Sequence, residues 1–120
     1  MSAIKITAPL EPVPFKRALS NGRRRFNAPR YVEFKEAVGL FARRAMNGAA
    51  PFTGAIKISV TVSRNLKPSS RNFGDADNHL KAVLDALNGI CYVDDAQVVS
   101  AEVTLLRGAP SVTIELEEFT

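Results

Sequence analysis

Residues 54–63 place Ile56, Ile58, Val60 and Val62 at every second position, and no other stretch limits the fold so sharply. A period of two in β-branched residues reads as a strand buried on one face, and that face needs a covering layer. The segment Ile4-Lys5-Ile6-Thr7 alternates in the same way and stops at Ala8-Pro9, after which Pro12 and Pro14 exclude a helix. Residues 15–29, rich in Arg, Asn and Gly, read as a loop. Pro29 opens a helix over 30–47, with Phe34, Val38, Phe41 and Ala45 at helical spacing and Asn47-Gly48 as its stop. A polar loop over 65–74 leads to a second helix over 77–89, capped by Asp77 and Gly89, with Leu80, Val83, Leu84 and Leu87 as its core stripe. Strands over 96–106 and 111–117 follow, joined through Arg107-Gly108-Ala109-Pro110. The order β-α-β-α-β-β is too short and too mixed for a doubly wound sheet. It predicts a single α+β domain over 1–120, with two helices packed on a small mixed sheet.

At 120 residues one core is expected. The lone Cys91 excludes a disulfide framework and a cysteine-based zinc site, and reads as a buried, inert thiol in a reducing compartment. The opening Met1-Ser2-Ala3-Ile4-Lys5 lacks the apolar core of a signal peptide, and no stretch approaches the roughly 20 apolar residues that span a bilayer. A cytoplasmic protein with no membrane partner is expected. The net charge of +4 conceals an uneven distribution. Residues 16–44 hold nine basic side chains against Glu33 and Glu36, whereas 75–120 hold nine acids against Lys81 and Arg107. Such polarity suits a basic surface for a polyanion beside an acidic pocket for a cation.

The acidic half is concentrated in Asp75-Ala76-Asp77-Asn78-His79-Leu80-Lys81 and, one helix length later, Asp94-Asp95. Carboxylates sharing a site repel one another unless a cation neutralises them or a proton is taken up. Each four-residue step on a helix advances about 40° beyond a full turn, so Asp77, Lys81 and Asp85 form one stripe beside the apolar face, with Asp75 just upstream. If extended, Asp94 and Asp95 point to opposite faces, so one of them is expected to join the site. Hard oxygen ligands of this kind suit Mg²⁺, with Mn²⁺ as the alternative. Lys81 would stabilise charge at a scissile phosphate. The competing account is structural, with Asp77 as a cap and Lys81 in ion pairs with Asp77 and Asp85, and for Asp85 the structural role is favoured. His79, about 160° around the helix from Lys81, reads as a partly exposed residue. With no Gly-rich phosphate loop and no Ser/His/Asp or Cys/His constellation, no nucleotide cofactor is implied, and hydrolysis by metal-activated water is the chemistry left.

These stretches, together with Asp85-Ala86-Leu87-Asn88-Gly89 and Tyr92-Val93-Asp94-Asp95-Ala96-Gln97-Val98, resemble the RusA-type Holliday junction resolvases, small homodimeric endodeoxyribonucleases common in prophages. The resemblance implies catalytic aspartates at Asp75, Asp77 and Asp95, which would hold the metal, and an essential lysine at Lys81. It implies magnesium-dependent, paired symmetric nicking of four-way DNA in recombination and repair. A homodimer suits a two-fold substrate, because two equivalent subunits present two equivalent sites. Lys16, Arg17, Arg23, Arg24, Arg25, Arg30 and Arg71 are the expected DNA contacts, binding phosphates through charge. Phe73 is a wedge that unstacks bases, a dimer contact or a packed loop residue. Two alternatives stay open: a broader nuclease for branched DNA, and a non-catalytic DNA-binding module with a structural cation.

Overall fold

The structure, a computed structural model, describes residues 2–15, 19–21, 24–26, 29–70 and 74–119, the segments 19–21 and 24–26 by backbone alone. Its elements are β1 (Ser2–Ala8), β2 (Leu19–Asn21), β3 (Arg24–Phe26), α1 (Pro29–Met46), β4 (Ala55–Arg64), α2 (Ala76–Leu87), a 3₁₀ turn (Asp95–Gln97), β5 (Val98–Arg107) and β6 (Ser111–Phe119). The expected α+β fold is observed: both helices lie against a mixed four-stranded sheet of order β1-β6-β4-β5. β6 runs antiparallel to both β1 and β4, while β5 is parallel to β4. A parallel pair needs a long crossover, and α2 with the turn that follows it is that crossover.

Register explains the two faces of the sheet. Ile6, Ile114, Val60 and Val103 form one row across all four strands, and Ala8, Val112, Val62 and Leu105 form another. These rows meet the helices. Every member from β1, β6 and β4 is buried, each apolar side chain of Val or Ile size contributing roughly 1.5–3 kcal/mol. The opposite face carries Thr7, Thr113, Thr61 and Thr104 in one row and Lys5, Glu115, Ser59 and Glu102 in the next. It is the solvated side expected of a sheet covered on one face.

Four expectations are corrected. Residues 15–29 are not all loop, because β2 and β3 pair antiparallel, Leu19 opposite Phe26 and Asn21 opposite Arg24. Strands of three residues carry no usable alternation, and the available signal was Gly22 opening a two-residue connection. His79 is not partly exposed: it is 2% exposed. It does lie across the helix from the exposed Lys81, and that side of α2 is the one that faces the protein. The buried residues of α2 are His79, Ala82, Val83, Ala86 and Leu87, with Leu80 and Leu84 at the margin. Packed against both α1 and the sheet, α2 turns its small residues inward. The α1 stripe is displaced likewise, with Ala42 and Met46 buried beside Phe34 and Val38 while Phe41 and Ala45 are partly covered. That helix ends as expected, Asn47 and Gly48 both adopting positive φ (49° and 83°).

Candidate active site

The start of α2 is shaped by Gly74, whose φ of +83° sends the polar loop sharply into the helix. A Cβ on Gly74 would lie 3.0 Å from His79 Nε2, so the buried imidazole packs directly against this turn. Asp75, rather than Asp77, occupies the position before the first helical residue. Its carbonyl accepts the first helical bond, from His79 N at 3.1 Å, and its carboxylate accepts Asn78 Nδ2 at 3.3 Å instead of capping the helix. Asp77 lies in the exposed first turn, where the helix dipole favours negative charge.

One turn further on, Lys81 reaches across the ring of Phe15, its Nζ 5.5 Å from the ring centroid. Phe15, Lys81, Leu84, Asp85 and Asp95 line a recess of about 260 Å³. The recess thus brings together two of the four expected catalytic residues, Lys81 and Asp95. Asp75 and Asp77 are not among its lining residues. The second acidic pair is resolved by the 3₁₀ turn: Asp95 faces the recess and Asp94 precedes the turn.

Gln97, to which sequence reasoning assigned no role, fixes this turn. Its Oε1 accepts Val93 N and Asp94 N, both at 2.9 Å, while its Nε2 donates to Phe52 O at 2.8 Å and Gly54 O at 3.0 Å. A side-chain amide has two donor hydrogens and one acceptor oxygen, and here all are engaged. The start of β4 is thereby tied to the loop that carries Asp95.

Asp85 does not pair with Lys81. Its Oδ2 accepts the Tyr31 hydroxyl at 2.8 Å and lies 3.1 Å from Lys35 Nζ, so its structural role holds with partners from α1. Tyr31 also meets Phe15 edge to face, centroids 5.7 Å apart. No sequence signal identified either aromatic residue as part of the site.

Among the described residues, no three His, Cys, Asp or Glu side chains converge closely enough to enclose a metal ion. The donors nevertheless suit a hard cation in kind. Asp75, Asp77 and Asp95 are exposed carboxylates, and the ion pairs among the described residues are Lys35–Asp85 and Arg64–Glu11. Mg²⁺ binds through one or two carboxylates and keeps waters and phosphate oxygens as its remaining ligands, so a closed protein cage is not required. Of the expected DNA contacts, Arg30 is exposed at the start of α1. Arg24 and Arg25 lie on β3, where the backbone alone is described, and Lys16, Arg17, Arg23, Arg71 and Phe73 lie outside the described residues. No helix among the described residues is long and apolar enough to cross a membrane.

The groups beneath the site resist ionisation. Burial pushes the Cys91 thiol from its ordinary 9.0 up to about 11, as expected for an inert thiol. Burial first, then the Asp85 hydrogen bond and charge, raises Tyr31; burial first, then chiefly the Asp95 charge, raises Tyr92. In the unfolded chain all three lose their protons at lower pH, so ionisation favours unfolding as pH rises through this range. Thermal midpoints should stay level from pH 7 to about 8.5 and fall above about pH 9, and Cys91→Ala should delay the onset toward the tyrosine range. A midpoint constant to pH 11 would contradict this.

Two comparisons bear on identity. The chain is 31% identical to the "Uncharacterized protein YqaN" of Bacillus subtilis (strain 168), across 98% of each chain. Residues 9–117 match the family model described as endodeoxyribonuclease RusA, a span holding every candidate site residue. The chain therefore belongs to the RusA family of endodeoxyribonucleases, hydrolases that act on DNA.

Proposed function

We propose that this protein is a divalent-metal-dependent endonuclease that resolves four-way DNA junctions by paired nicking, acting as a homodimer in the bacterial or phage-infected cytoplasm during recombination and repair. The observation that carries the reading is the recess lined by both Lys81 and Asp95, beside the helix that is preceded by Asp75 and carries Asp77 in its first turn, in a chain of endodeoxyribonuclease lineage. Asp75, Asp77 and Asp95 would hold Mg²⁺ (or Mn²⁺), which when bound lowers the pKa of an attacking water and offsets phosphate charge.

The side chains of the protein divide the remaining work. Lys81 offers ammonium hydrogens to the non-bridging phosphate oxygens, whose charge grows as water adds to phosphorus and before a bridging P–O bond breaks. Asp85, engaged by Tyr31 and Lys35, holds α2 against α1. Lys16, Arg17, Arg23, Arg24, Arg25, Arg30 and Arg71 bind backbone phosphates, which makes affinity strongly salt-dependent, and Phe73 acts at the junction centre. Two subunits related by a two-fold axis present two such sites to a two-fold substrate.

The deciding experiment compares a labelled four-way junction with a linear duplex of matched sequence, each with magnesium or chelator. Paired nicks at symmetric positions in the junction alone, abolished by chelation, are the expected result. Equal cutting of the duplex would replace the reading with a general nuclease. Binding without cutting would replace it with a DNA-binding module.

A further inference from the structure

We infer that Phe15 is a positioning residue for Lys81, its ring holding the ammonium at the recess shared with Asp95. The claim of a catalytic consequence rests on the nuclease reading above; the contact itself does not. Lys81 is exposed and has four flexible side-chain bonds, yet none of the ion pairs among the described residues includes it. The nearest acidic neighbour on the following turn, Asp85, is engaged by Tyr31 and Lys35. The restraint on Lys81 is the Phe15 ring, whose centroid lies 5.5 Å from Nζ, within the reach of a cation–π attraction.

The ring is itself fixed from two sides. Phe15 N donates to Asn78 O at 2.9 Å, anchoring the residue to α2 less than one turn before Lys81. The ring meets Tyr31 edge to face at 89°, and Tyr31 is 1% exposed with its hydroxyl on Asp85. Pro12-Val13-Pro14 precedes Phe15 and restricts the incoming backbone. A carboxylate partner would restrain Lys81 equally well but would occupy its hydrogens and offset its charge. An aromatic face attracts the cation through its quadrupole and leaves the N–H donors free for a phosphate oxygen.

The test replaces Phe15 with mono-, tri- and pentafluorophenylalanine, which keep the ring shape while weakening its negative face, and adds Phe15→Leu. Junction cleavage gives kcat and KM, and proton NMR follows the Lys81 methylene next to the ammonium. We expect kcat to fall stepwise with fluorine number, about two- to fivefold in total, with KM and thermal midpoint unchanged. The Lys81 methylene should be shifted upfield by the ring and should lose that shift in Phe15→Leu. A flat kcat across the fluorinated series would overturn the positioning role, as would a Lys81 signal indifferent to Phe15→Leu. A wild-type protein that cuts no junction or duplex, but whose Lys81 signal depends on Phe15, would refute the nuclease reading and uphold the contact.

Discussion

Asp77→Asn is expected to slow junction cleavage by roughly 10³-fold or more, the scale on which loss of an essential catalytic group is felt, while the junction stays bound. Asp77 is exposed in the first turn of α2, and the described ion pairs do not include it. The amide has nearly the same shape as the carboxylate. The cost to folding is therefore confined to a weaker interaction with the helix dipole, about 0.3–1 kcal/mol. No basic side chain is altered, so the salt dependence of binding should be unchanged, and loss of a negative charge near phosphate favours binding if it acts at all. Single-turnover cleavage, gel-shift titration and thermal unfolding on one preparation would separate these effects. Asp85→Asn is the matched control on the same helix. It weakens the acceptor shared by Tyr31 and Lys35 and should cost stability more than rate. Wild-type cleavage rates for Asp77→Asn would remove Asp77 from the catalytic set.

The features legible in the sequence are those whose cause is local. The alternation of Ile56, Ile58, Val60 and Val62 is a property of one strand, and β4 runs from Ala55 to Arg64 almost as read. The acidic composition of the start of α2 is legible for the same reason, but not its boundaries: the cap is Asp75 rather than Asp77, and the helix ends at Leu87 with Asn88 as its cap, short of Gly89. Features that depend on partners distant in the chain are not legible. Asp85 takes its partners from Tyr31 and Lys35, 54 and 50 residues away, whereas a sequence offers Lys81 as the obvious i−4 neighbour. Phe15 reaches the recess because a proline-rich segment crosses α2, a path no periodicity encodes. The rotation of both helices relative to their most apolar stripe has a similar origin. Leu80 and Leu84 are more hydrophobic than Ala82 and Ala86, but a helix held between another helix and a sheet buries the residues that allow close approach.

Tyr92→Ala should be the most destabilising single change near the site, at about 3–5 kcal/mol. Tyr92 is fully buried, so truncation opens a cavity the size of a phenol beneath the end of α2. The hydroxyl adds a second loss. The last four carbonyls of a helix lack partners within it, and three of those of α2 find partners beyond it: Asp85 O from Asn88 N at 3.4 Å, Leu87 O from Ile90 N and Cys91 N at 3.0 Å, and Leu84 O from the Tyr92 hydroxyl at 2.6 Å. Tyr92→Phe keeps the ring but leaves Leu84 O without that donor, so it should cost about 1–3 kcal/mol. The backbone on either side of the ring fastens the loop, with Gly89 N donating to Tyr92 O and Phe52 N to Cys91 O, both at 2.8 Å. Three residues later this loop delivers Asp95 to the recess. Urea titrations of the three proteins should therefore rank wild type above Tyr92→Phe above Tyr92→Ala. Cleavage by Tyr92→Phe at a temperature where it is fully folded should fall far less than with Asp77→Asn, because the ring still holds the turn. An unfolding free energy for Tyr92→Ala within about 1 kcal/mol of wild type would mean that Gln97 alone secures the loop.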